Sequence, residues 1–171
     1  MPMKVPVLIL VSALALLAAG SYSNRRAPGF SLMDAHYRQH DIQDYRGKAV
    51  IVDFMKTDCP VCNTLADLFV EVSPKYGDKL AILSVVTLPD NFVEADKFSA
   101  RHKANWPVLF DSGQVMMSYL KLQPTGDMNV HFPHIFLIDV NGIIKNDLDA
   151  PECQALTPAS LAAEVDKLFN K

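Results

Sequence analysis

The chain has 171 residues, half of them hydrophobic, with 16 basic against 19 acidic side chains and a net charge of −3. That length supports one well-cored domain and is short for two ordinary ones. Charges of both signs are mixed along the chain without a basic run, which argues against a nucleic-acid partner.

Met1 to Lys4 carries one positive charge, Val5 to Ala19 is an apolar run, and Ala18-Ala19-Gly20 offers the small residues a signal peptidase prefers. The run falls short of the roughly 20 residues of a full span, although Gly20 to Tyr22 could lengthen it. Residues 1–23 therefore read as a cleaved signal peptide or as an uncleaved N-terminal membrane anchor. Arg25-Arg26 just beyond argues against the anchor, because positive charge prefers the cytoplasmic side. On either reading the domain is exported, to the periplasm or another extracytoplasmic space. The polar residues 24–28 read as a tether, and residues 29–171 as the domain.

Within the domain, Gly29 to Leu32 and the neighbourhood of Asp41-Ile42 read as short strands. Ala49-Val50-Ile51-Val52-Asp53-Phe54-Met55 is apolar and rich in β-branched residues, the pattern of a central strand covered on both faces. After Lys56-Thr57-Asp58 the apolar period changes. Val61, Leu65, Leu68, Phe69 and Val72 share one helical face, which predicts a helix from Pro60 to about Ser73. Leu80 to Leu88 predicts a buried strand, Asn91 to His102 a helix, Val108 to Phe110 a strand and Gln114 to Leu120 a small helix. Ile135 to Asp139 and Ile143 to Lys145 flank Val140-Asn141-Gly142, a hairpin signal. Thr157 is an N-cap for a last helix whose apolar face is Leu161, Val165, Leu168 and Phe169. Strands alternating with helices, then a hairpin and a helix, predict an α/β domain with a central mixed sheet.

The chemistry-bearing element is Cys59-Pro60-Val61-Cys62 at the strand-to-helix junction. Two cysteines three apart at a helix start can close and reopen a disulfide with little backbone movement, and in this context the spacing reads as a redox motif. Pro60 suits the first helical position. Cys59 then lies at the helix N-terminus, where free N–H groups and the dipole favour a thiolate. Cys59 is the expected attacking sulfur and Cys62, one turn inside, the resolving one. The alternatives are a structural disulfide or half of a zinc site, but zinc needs two more ligands and the chain has no second cysteine pair. Cys153 is left over, read as a half-buried small residue between the last strand and the last helix, with an intermolecular disulfide or accessory thiol as the sharper readings.

With Ala27 to Leu32, Gly47-Lys48, the CxxC, Trp106-Pro107-Val108-Leu109 and Phe132-Pro133-His134-Ile135 through Gly142, residues 27–170 resemble the thioredoxin-like superfamily. Within it they resemble the AhpC/TSA-related, TlpA/ResA-type exported thiol–disulfide oxidoreductases. The resemblance implies a thioredoxin-like fold with helices on both faces of the sheet, and a protein-disulfide reductase that uses a Cys59–Cys62 disulfide and no other cofactor. Its partners would be exported proteins bearing thiols or disulfides, and an upstream thiol donor or acceptor. It also implies that Pro133 is the cis-proline facing the CxxC, holding the Phe132 backbone open to a partner strand beside Pro60 and Val61. Asp53 falls where thioredoxins carry a buried acid. A carboxylate there has a raised pKa and could take a proton from Cys62, or it could simply bond a neighbouring donor at the strand's end.

Two departures stand out. Asp58 replaces the usual aromatic before the first cysteine, opposing the helix dipole unless Lys56 offsets it. Phe132 replaces a smaller residue and narrows the partner groove. The alternative function is copper(I) handling, with His131 or His134 completing a soft site with Cys59 and Cys62. Both histidines otherwise read as solvated loop residues. Peroxidase activity is a weaker third reading, because Lys56 and Thr57 do not fit the peroxiredoxin spacing.

Overall fold

The computed structural model describes residues 22–123, 125 and 130–169. Of the expected export segment, residues 1–23, all but Tyr22 and Ser23 lie outside them. No helix among the described residues is long and apolar enough to cross a membrane.

Eight strands form one mixed sheet: β1 (Arg25–Arg26), β2 (Ser31–Asp34), β3 (Gln39–Asp41), β4 (Ala49–Met55), β5 (Leu80–Thr87), β6 (Val108–Asp111), β7 (His134–Ile138) and β8 (Ile143–Leu148). Their order is β1-β8-β7-β4-β5-β6-β2-β3. β4, β5 and β6 run parallel, β7 is antiparallel to β4, and β8 is antiparallel to β7. The helices are α1 (Pro60–Val72), α2 (Phe92–His102), α3 (Gln114–Leu120), α4 (Ala150–Gln154) and α5 (Pro158–Lys167).

β4 is buried along its whole length, as its unbroken apolar run requires. Pleating divides the strands between two cores. Ile51, Met55, Ile82, Val86, Ile135 and Leu137 face α1, α2, α4 and α5, together with Phe69, Phe98, Leu161 and Val165. Val50, Val52, Phe54, Leu83, Val85, Phe136 and Ile138 face the other way, toward Tyr119 and Leu120 of α3, Phe30 and Ile42. The expected sandwich of helix, sheet and helix is present, and the helix boundaries at Pro60, His102, Gln114, Leu120 and Thr157 fall where the sequence puts them.

Two expectations are revised. Residues 24–28 are not free of the domain: β1 pairs with β8, and the amides of Asn24 and Ala27 donate to the carbonyls of Ile144 and Gly142 at 2.8 and 3.0 Å. The Tyr22 amide donates to Asp147 Oδ1 at 2.8 Å, and the Arg25 guanidinium bonds the carbonyls of Tyr22 and Tyr119. An otherwise open sheet edge is thereby covered. The second revision is α4, which occupies the stretch around Cys153 and begins with a capping box between Asp149 and Glu152.

Candidate active site

The site lies where β4 ends and α1 begins, at the carboxyl ends of the parallel strands. Cys59 is the N-cap of α1, with extended backbone (φ −76, ψ 121), and its Sγ accepts the Cys62 amide at 3.2 Å. Sulfur thus takes the place usually held by a Ser, Thr or Asp oxygen at a helix start. The Cys59 thiol is 3.5 Å from the Phe132 carbonyl oxygen, to which it donates. The Phe132–Pro133 peptide is cis, as the resemblance implied, and Pro133 is buried. Pro60 is exposed and Val61 half-buried beside it.

Cys62 is a buried thiol, only 1% exposed. Burial pushes its pKa up, and the negative charge of Asp53 and the hydrogen bond with Cys59 push it further. Asp53 lies on the α1 side of β4, 3% exposed. Burial pushes its carboxyl up to about 7, against the opposing pull of the Ser84 hydroxyl, which donates to Oδ2 at 2.9 Å. Trp106 Nε1 donates in turn to Ser84 Oγ at 3.0 Å. Asp53 Oδ1 is buried with no hydrogen-bond partner among the described residues. The acid is therefore enclosed and bonded to a neighbouring donor, Ser84, through a polar relay that the sequence does not reveal.

Cys153 is 3% exposed, not half-buried, and its thiol donates to the Leu148 carbonyl at 3.5 Å. Burial first, and then the charge of Asp53, raise its pKa. It is a closed-in thiol on the same face as Cys62.

The departures also have places. Asp58 is exposed. Lys56 Nζ sits 5.3 Å from the centroid of the Phe132 ring. The two histidines separate. His131 is exposed. His134 is buried, pairs through Nε2 with Asp147 Oδ2 at 3.0 Å, and stacks on Phe136. Because β7 alternates, His134 points with Phe136 to the sheet face opposite Cys62. It is not a solvated loop residue and does not join the cysteines. Among the described residues, no three His, Cys, Asp or Glu side chains converge as a metal ion requires. The copper reading finds no support in this arrangement.

Sequence and structure comparisons fit this geometry. The AhpC/TSA family model matches residues 24–147. The thiol–disulfide oxidoreductase ResA of Geobacillus thermodenitrificans (strain NG80-2) is 29% identical over 119 residues, which is 70% of this chain and 64% of that protein. The chain thus spans a little under two thirds of that relative's length. The thioredoxin-like protein YneN of Bacillus subtilis (strain 168) is 25% identical over 134 residues, 74% of this chain and 71% of its own. Among solved structures, a thiol:disulfide interchange protein of the thioredoxin family from Chlorobium tepidum TLS superposes with a TM-score of 0.72 at 19% identity, covering 85% of this chain and 97% of its own. The thioredoxin domain of a thiol–disulfide oxidoreductase from Bacteroides vulgatus does so at 0.68 and 24%, covering 90% and 99%. These likenesses establish a thioredoxin-like fold, and with the family model spanning most of the described residues, the chain belongs to the AhpC/TSA family.

Proposed function

We propose that the protein is an exported thiol–disulfide oxidoreductase that reduces disulfides of protein partners through Cys59 and Cys62. The observation that carries this reading is the position of Cys59 Sγ. It caps α1, within hydrogen-bond reach of the Cys62 amide and the Phe132 carbonyl, with a buried acid on the same side of the sheet as the second thiol. The relatives named thiol–disulfide oxidoreductase ResA support it, as does the redox spacing of the motif.

In the reducing direction the Cys59 thiolate attacks one sulfur of a partner disulfide, forming a mixed disulfide and releasing the other partner sulfur as a thiolate. The Cys62 proton passes to Asp53, whose pKa of about 7 suits a base near neutral pH. The Cys62 thiolate then attacks Cys59 Sγ. The Cys59–Cys62 disulfide forms, the second partner sulfur leaves and takes up a proton, and two electrons have moved to the partner. An upstream dithiol donor returns the pair to its reduced form. Pro60, Val61, Phe132 and Pro133 line the partner's approach. No prosthetic group is needed, because the electrons reside in the two sulfurs.

The test is the redox equilibrium of the pair in graded thiol/disulfide buffers. The expected result is a reversible two-electron transition, absent in Cys59→Ser, at a potential below that of the glutathione couple. A high potential would make the protein an oxidant or isomerase, and failure to exchange would overturn the reading. Export is tested separately, by locating the full-length protein in fractionated cells.

A further inference from the structure

Thr57, two residues before Cys59, has every polar group engaged. Its amide donates to Asp90 Oδ2 at 2.8 Å and its hydroxyl to Asp90 Oδ1 at 2.8 Å, and Asp90 is itself buried. Its carbonyl accepts from Asn63 Nδ2 at 3.2 Å and from Arg101 Nη2 at 3.0 Å. Asn63 follows Cys62 directly, and its Nδ2 also donates to the Cys59 carbonyl at 2.7 Å, where the Asn63 amide arrives at 3.0 Å. Asn63 Oδ1 accepts from Arg101 Nη2 at 2.7 Å and lies 2.7 Å from His102 Nε2. The other nitrogen of His102 is 2.7 Å from Asp67 Oδ1. Three elements thus converge on the main chain of residues 57–59: α1 through Asn63, the end of α2 through Arg101, with His102 behind Asn63, and the loop after β5 through Asp90.

An Arg–Asn contact on a protein surface ordinarily contributes little. Here the acceptors are the carbonyls of Thr57 and Cys59, on the chain leading into the CxxC, and a charged donor reaches the first of them. A sulfur capped by a helix amide keeps that geometry only if the loop carrying it is fixed, and a small misplacement of a reacting atom is costly in rate. We propose that Asn63 and Arg101, backed by His102, are positioning residues for thiol–disulfide exchange, clamping the Thr57–Cys59 main chain so that the Cys59 sulfur stays capped by the Cys62 amide. This rests on the reading of Cys59 as the nucleophile.

The experiment compares full-length wild type, Arg101→Ala, Arg101→Lys, Asn63→Ala and, as a control, Lys97→Ala, an exposed residue elsewhere on α2. Each is measured for exchange rate with oxidised glutathione per folded molecule, and for redox equilibrium in a glutathione buffer. Loss of a charge-assisted bond predicts about a tenfold fall in rate for Arg101→Ala. Asn63→Ala should fall at least as far and Arg101→Lys only part of the way, with the redox equilibrium displaced in Arg101→Ala and Asn63→Ala. Lys97→Ala should match wild type. Should Arg101→Ala not fold, Asn63→Ala, which leaves α2 untouched, decides the matter by the same two measurements. Variants that exchange at the wild-type rate with an unchanged equilibrium overturn the clamp, even if they melt earlier. A wild type that does not exchange overturns the thiol-exchange reading, and the clamp with it.

Discussion

Asp53 is costly to bury, and the proposed mechanism gives that cost a use. Enclosed between Ser84 and the thiol layer, its carboxyl titrates at about 7 rather than 3.8. The folded protein therefore holds a proton that the unfolded chain has released across that window. Stability is fullest below pH 4 as far as this group is concerned, and is lost as pH rises to about 7, by at most about 1.4 kcal/mol per pH unit. Asp53→Asn should abolish this component. Chemical denaturation at pH 5 and pH 8 is expected to show wild type losing stability between them and the variant losing less, so that the variant is the more stable at pH 8. On the proposed mechanism the same substitution removes the base: release of the mixed disulfide at pH 7 should slow about a hundredfold and lose its rise through pH 7. Identical pH profiles for the two proteins would remove Asp53 from the mechanism.

At the scale of elements, the two-residue strand β1 covers the β8 edge with few bonds. The amides of Tyr22, Asn24 and Ala27 and the Arg25 guanidinium are among the groups that hold residues 22–27 there, and the Tyr22 ring rests against His134 and Phe136. A chain beginning at Pro28 should lose about 2 kcal/mol relative to one beginning at Tyr22, with faster amide exchange confined to β7 and β8. Unchanged stability would make the segment a tether after all. Such pairing is hard to read in a sequence because main-chain bonds leave no side-chain signature. The same limit applies at the site. Cys59 and Cys62 stand out from the strand and helix that flank them, whereas Asp53 and Pro133 stand out only through the resemblance of the chain as a whole. Ser84, Asp90 and Arg101 do not, because each acts on a partner 31 to 44 residues away along the chain. His134 turns on one residue of strand length: once β7 starts at 134, alternation alone sends it to the far face. The helix α4 does leave a signal, Asp149 with Glu152 three residues on, but its five residues are too few to show a period.

For the molecule as a whole, the sheet separates two cores of different duty. One, under α1, α2, α4 and α5, contains Cys62 and backs the site. The other is an aromatic cluster in which Tyr119, fully buried, meets Phe30, Phe54 and Phe136 edge-on and donates its hydroxyl to the Pro28 carbonyl. Close packing transmits strain over short distances, so the face on which a cavity is made should decide what it disturbs. Tyr119→Ala is expected to cost about 4 kcal/mol while leaving the redox equilibrium of Cys59–Cys62 unchanged in the folded protein. Leu65→Ala, made one turn beyond Cys62 in the other core, should cost about 3 kcal/mol and displace that equilibrium, because it loosens the helix that carries both sulfurs. Denaturant unfolding gives the first quantity and a glutathione titration the second. Equal displacement by the two variants would mean that the sheet does not insulate the site, and that its poise belongs to the whole fold rather than to one layer of it.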